Sequence, residues 1–120
     1  MAVCRWDLDT FVALFTPDAV WQRPGVPPLR GHAEIRAFME SQPAPAERVM
    51  RHVQGGVVVD VIDAGHARVH SQTTVYSAPP GPLPAPSAVP AMVVEYDDEM
   101  VRAGDDWLID RRDTVVVFAS

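Results

Sequence analysis

The chain has 120 residues, 48% of them hydrophobic, and a formal net charge of −6 at pH 7. That is one domain's length with enough apolar material for a core, which excludes wholesale disorder and gives a single domain over residues 1–120. The negative charge repels phosphate backbones and no Lys or Arg cluster offsets it, so nucleic acid is not an expected partner.

Apolar runs are too short for a transmembrane helix, which needs about 20 apolar residues, so no membrane partner is expected. The start, Met1-Ala2-Val3-Cys4-Arg5-Trp6-Asp7, lacks the basic-then-apolar order of a signal peptide. The single cysteine, Cys4, has no partner for an internal disulfide and fits a packing role in a cytoplasmic protein.

In chain order, Leu8, Phe11, Val12 and Phe15 follow the i, i+3, i+4, i+7 spacing of an amphipathic helix. Thr16-Pro17-Asp18 should end it, because proline disfavours helix at the residue before it. Ala19 to Gln22 then reads as a short strand, stopped by Pro24-Gly25-Val26-Pro27-Pro28. A second helix is predicted over His32 to Ser41, with Ala33, Ile35, Phe38 and Met39 as its apolar residues. Gly31 stands before it and Pro43 and Pro45 close it. His32, at its start, is expected to face solvent.

From Arg51 the pattern is β. The reversal Asp63-Ala64-Gly65 leads into a strand over Ala67 to Tyr76, and side-chain alternation puts Val59 and Val61 on one face with Ala67 and Val69. His52 and Gln54 have the other parity. Gly55-Gly56 lies between the two sets, and a bulge there would carry His52 onto the face of Val59; this bulge is predicted. Residues 77–90 hold six of the twelve prolines and read as a stiff, extended loop. Val94, Tyr96, Asp98 and Met100 alternate with Glu95, Asp97 and Glu99, so the Tyr96 set should face inward. Ala103-Gly104-Asp105-Asp106 turns the chain into a last strand, Trp107 to Phe118. Helices followed by a long antiparallel meander make an α+β domain.

Several side chains on these elements have chemistry to offer. His52 either exchanges protons near neutral pH or sits in the core bonded to a carbonyl. Tyr96 either donates its phenol to a ligand or packs on the helices. Asp98 and Arg112 flank the 103–106 turn, and Asp98 either forms a structural ion pair with Arg112 or serves as an acid catalyst. Trp21, Phe38, Val94 and Met100 are expected around an apolar cavity. His66 and His70 lie four residues apart on a strand, about 13 Å, too far to share a zinc ion; no metal site is expected. There is no Gly-rich phosphate loop, nucleophile elbow or dinucleotide fingerprint, and no cofactor is expected.

The order of Asp7-Leu8-Asp9, Leu14-Phe15-Thr16-Pro17-Asp18-Ala19-Val20-Trp21, Gly31 with Ile35 and Phe38, Arg51-His52, Ala67, Tyr96-x-Asp98-x-Met100-Val101-Arg102, and Trp107 with Arg112 resembles the SnoaL-like family of the nuclear-transport-factor-like fold. The resemblance covers nearly the whole chain. It implies a cone-shaped, curved antiparallel sheet with N-terminal helices across its concave face, a pocket between them, and dimerisation through the outer sheet face. The family includes polyketide cyclases, dehydratases and ketosteroid isomerase relatives, so the fold alone does not give the activity.

Phe15 to Pro24 looks like the ketosteroid isomerase segment bearing the general-base aspartate, but that position is Arg23. A guanidinium cannot be deprotonated in a protein, so it abstracts no proton. The oxyanion acid of that enzyme matches Asp98. His52-Val53-Gln54-Gly55-Gly56 resembles the scytalone dehydratase strand that carries a catalytic histidine. The acidic partner of that histidine would fall at Cys4, its second histidine near Tyr76, and two polar pocket residues at Val94 and Tyr96.

Two functional readings follow. In one, a cofactor-independent dehydratase, cyclase or isomerase acts on a small apolar, oxygen-bearing molecule. His52 is then the acid/base, Tyr96 and Asp98 assist, and Trp21, Phe38, Val94, Met100 and Arg112 line the substrate. In the other, the domain is a non-catalytic ligand-binding or dimerisation module. Val53, Val57, His70 and Tyr76 on the outer face predict a homodimer in either case.

Overall fold

The computed structural model describes residues 7–42, 48–85 and 90–119. Cys4, Pro43, Pro45 and Pro86, on which some expectations rest, lie outside them. The described elements are α1 (Leu8–Val12), β1 (Phe15–Gln22), β2 (Leu29–Arg30), α2 (Gly31–Glu40), β3 (Val49–Asp63), β4 (His66–Ala78), β5 (Pro90–Ala103) and β6 (Asp106–Ala119). The strands form one sheet in the order β2-β1-β6-β5-β4-β3. All neighbours are antiparallel except β1 and β6, which run parallel.

Asp7 starts α1 by accepting from the Thr10 amide at 3.1 Å, as an N-cap does. The helix is shorter than predicted. Phe15 has the right helical spacing, yet it opens β1 opposite Ile109 of β6, and the Ile109 amide donates to the Leu14 carbonyl at 2.8 Å. Sheet pairing takes these backbone groups before a further helical turn can.

The second helix agrees with its prediction to within one residue at each end. Glu34, four residues into the helix, reaches back to accept from the Arg30 amide at 3.0 Å and satisfies a donor at the helix start. Ile35 and Met39, one turn apart, are buried. Gly31 has φ +78°, and a Cβ there would stand 3.3 Å from the Pro17 carbonyl oxygen, so glycine is the residue that lets α2 turn off β2 beside β1.

His32 does not face solvent. Its Nε2 lies 2.8 Å from the Phe15 carbonyl oxygen, which ties the first turn of α2 to the start of β1. Arg36 pairs with Asp9 and joins the two helices. Phe11, Val12, Phe15, Ala19, Trp21, Ile35, Met39 and Ile109 form the core, with Tyr96, Phe38 and Met100 packed against it. The helices therefore cover the β1–β6 end of one sheet face.

The glycine bulge is present. Gly55 pairs with Gln72 but Val58 pairs with His70, leaving one extra residue on β3, and Gly56 takes φ +58°. Before the bulge the even-numbered residues of β3 share the face of the helices; after it the odd-numbered ones do. His52, opposite Val75, and Val59, opposite Val69, are thus on the same face. The same shift corrects the outer face, where Val58 rather than Val57 sits beside His70.

Candidate functional site

Cross-strand register arranges the inner face into rows. One row runs from Thr114 on β6 through Tyr96 on β5 to Ser71 on β4. Beside it on one side stand Arg112, Asp98 and Val69; on the other stand Val116, Val94, Thr73 and Gln54.

The Asp98–Arg112 ion pair is bidentate. Arg112 Nε donates to one carboxylate oxygen at 2.8 Å and a terminal nitrogen donates to the other at 3.0 Å. Their side chains are 6% and 11% exposed, so each charge depends on the other for compensation. The guanidinium also lies over the Tyr96 ring at 4.1 Å and within 5.7 Å of the Trp21 and Phe15 ring centres. Arg112 and Asp98 are therefore committed to each other.

Burial pushes the Tyr96 phenol above its ordinary value, with Arg112 pulling it back and Asp98 reinforcing it. The phenol stays protonated at neutral pH and is a hydrogen-bond donor. Trp21 and Val94 are buried. Trp21 stacks on Phe15 with ring centres 5.9 Å apart and meets Phe38 edge-on at 5.5 Å. Phe38 and Met100 are partly buried against the same cluster. Trp21, Phe38 and Met100 belong to one cluster with Tyr96 packed against it, whereas Val94 lies outside that cluster, six residues from Met100 along β5.

His52 stands apart from this group. Its row passes through Val75 to Met92, and Tyr96 is four residues farther along β5. Strand spacing makes the separation about 16 Å. One bridging oxygen therefore does not reach both side chains, because the register of β4 offsets the two positions. Burial lowers the His52 pKa from its ordinary value. The unfolded chain then takes up a proton below pH 6.5 that the folded ring resists, so this residue's share of stability is intact above pH 6.5 and declines as pH falls below it. Thermal melts of wild type and His52→Phe from pH 8 to pH 5 should show the wild type losing more stability on acidification; equal slopes would contradict this.

Sequence reasoning missed Ser71 and Thr73. Each is 1% exposed, each lies on the inner face, and neither hydroxyl finds a hydrogen-bond partner among the described residues. The parity of Ala67, Val69, Ser71, Thr73 and Val75 marks two hydroxyls within an otherwise apolar inward set. Among the described residues no group of three His, Cys, Asp or Glu comes together. His66 is joined to Asp63 and His70 to Asp97. No helix among them is long and apolar enough to cross a membrane.

The model of the SnoaL-like domain family matches residues 3–113. The chain belongs to the SnoaL-like family. Its fold, the cone-like α+β arrangement of nuclear-transport-factor-like proteins, recurs in solved structures. ActVI-ORFA from Streptomyces coelicolor superposes with a TM-score of 0.83 at 18% identity, over 97% of this chain and 87% of that one. An NTF2-like protein with a cystatin-like fold from Novosphingobium aromaticivorans gives 0.81 at 17% identity, over 99% and 75%. A ketosteroid isomerase-like protein from Erwinia carotovora atroseptica gives 0.72 at 20% identity, over 98% and 86%. The search of curated proteins gives no match. In this SnoaL-like chain, Arg23 stacks on Phe38 with its guanidinium 4.2 Å from the ring centre, a placement suited to holding an anion and not to removing a proton.

Proposed function

We propose that this SnoaL-like domain binds a small apolar molecule carrying a hydroxyl or carbonyl oxygen against its inner sheet face. One observation carries the reading: the two buried hydroxyls of Ser71 and Thr73, beside the Tyr96 phenol, have no hydrogen-bond partner among the described residues. Buried polar groups in native proteins are almost always hydrogen-bonded, and a ligand oxygen at this row would satisfy them. Trp21, Phe38, Val94 and Met100 supply the apolar wall. 2-Naphthol and naphthalene, titrated calorimetrically, separate the polar contribution from the apolar one. Tyr96→Phe and Ser71→Ala should each weaken 2-naphthol by about 1 kcal/mol and leave naphthalene unchanged. Equal effects on both probes, or on neither, would refute the reading.

A second reading keeps His52 as a cofactor-independent acid/base for dehydration, cyclisation or isomerisation. It is supported by the inward placement of a ring that burial holds neutral, able to donate from one nitrogen and accept at the other. The offset of His52 from Tyr96 favours binding over this catalysis.

Assembly through the outer face belongs to the same proposal. Val53, Val58, Val115 and Phe118 are 55%, 56%, 54% and 69% exposed there, and a homodimer would cover them. Glu95, Asp97 and Glu99 line the same face and would oppose their copies, so added salt should strengthen the association. Sedimentation at micromolar concentration should show a dimer; a monomer at all salt concentrations would contradict it. Such a protein, without a membrane-spanning helix in the described part, fits the cytoplasm.

A further inference from the structure

We propose that the cleft behind the end of β1 binds the carboxylate of a small organic acid, with Arg23 as its counter-ion. The inference rests on the ligand reading above and narrows the ligand from an oxygenated molecule to an acid. The cleft has a volume of about 510 Å³ and is lined by Gln22 at the end of β1 and residues 23–27 of the loop after it, together with Asp113 and Thr114 of β6. Arg23 follows Trp21 by two residues along the extended chain and so projects to the inner side of the sheet, where it meets Phe38.

The Arg23 guanidinium is incompletely compensated. It is partly buried, one terminal nitrogen makes only a 3.4 Å contact to the Pro27 carbonyl oxygen, and its buried Nε has no hydrogen-bond partner among the described residues. None of the described carboxylates pairs with it. Asp113 shares the cleft, but Arg111 already holds both of its oxygens at 3.1 and 3.2 Å. A partly buried cation left without an anion is costly, and a guanidinium fork matches a carboxylate in shape and charge.

A second donor converges on the cleft. Thr114 accepts from the Trp21 indole Nε1 at 2.9 Å. Indole nitrogen only donates, so the threonine keeps its own hydroxyl proton for another acceptor. Thr114 is also the first member of the row that continues through Tyr96 to Ser71. An acid seated on Arg23 and Thr114 would lay its apolar body along Trp21 and Phe38 toward that row.

The test compares 2-naphthoate with 2-naphthamide, which share a ring system and differ in charge. Wild type should bind the naphthoate at least about tenfold more tightly, and Arg23→Gln should bring the two to equal affinity. In the unmodified protein, the Trp21 indole 1H–15N signal should move with naphthoate and stay in place with naphthamide. Equal affinities in wild type, or a preference that survives Arg23→Gln, would overturn the proposal. If Tyr96→Phe still weakens 2-naphthol and leaves naphthalene unchanged in that case, the oxygen-binding reading stands without it. Charge selectivity that depends on Arg23 but is indifferent to Tyr96 and Ser71 would support the acid site and defeat the row. Failure of every probe to bind would defeat both.

Discussion

Asp98→Asn is expected to destabilise the protein by about 3 kcal/mol or more, because removing one partner of a buried ion pair leaves the other charge uncompensated. The carboxylate accepts two hydrogen bonds from Arg112 at 2.8 and 3.0 Å, and both side chains are almost fully buried. An amide in its place offers one acceptor and no charge. The stacked Tyr96, Trp21 and Phe15 rings attract the cation but supply no hydrogen-bond acceptor of comparable strength. Urea unfolding of Asp98→Asn, Arg112→Met and the double variant measures the pairing. The single variants should each lose far more than the double variant does relative to either of them, since the second change removes a charge that the first has already left without its partner. If Asp98 instead serves as an acid for a ligand, stability will hardly move and binding will fall.

Trp21→Ala should cost a similar amount, roughly 3–5 kcal/mol, as large aromatic truncations in cores do. Trp21 is 6% exposed and touches three phenylalanines, with ring centres 5.5 to 6.0 Å away. Its removal opens a cavity between α2 and the sheet and frees Thr114 from the indole N–H. Trp21→Phe keeps most of the ring volume and loses the donor, so it should cost about 1–2 kcal/mol. Denaturant melts of the two variants should differ by that margin; equal losses would mean that packing around Trp21 is not what holds α2 on the sheet.

Much of this arrangement could be read from local sequence signals. The second helix has a single apolar stripe and glycine before it. β5 and β6 flank a Gly-Asp turn, but the turn alone would set Asp98 opposite Arg111, and an extra residue on β6 between Ile109 and Arg111 brings Arg112 there instead. The adjacent glycines 55 and 56 sit where the parity of β3 changes, and the bulge is there. Phe15 was ambiguous because its spacing fits both a helix and a strand, and only pairing with β6, some 94 residues away, decides it. Parallel pairing of β1 with β6 and the bond from His32 to the Phe15 carbonyl are likewise long-range outcomes.

The candidate site was legible in part. Inward facing of Tyr96, Asp98, Val94 and Met100 followed from alternation, because the acidic residues between them need water. The offset of His52 from Tyr96 did not follow, since strand register across β4 was unknown. The Ser71 and Thr73 hydroxyls were visible by parity but lack charge or motif. Arg23 stood out only as a residue that cannot act as a base, and its stacking on Phe38 depends on where α2 docks.

The central claim is that a ligand meets the inner face of the sheet, and β4 provides an internal control for it. Thr73 and Thr74 are adjacent, yet Thr73 pairs with inner Val94 and Thr74 with outer Val93. Methyl-resolved NMR during titration of 2-naphthol into wild type should show saturable shifts for Thr73 and Val94, with Thr74, Val93 and Val53 unmoved. Shifts confined to Thr74, Val93 and Val53, or no saturable shift on either face, would contradict the account.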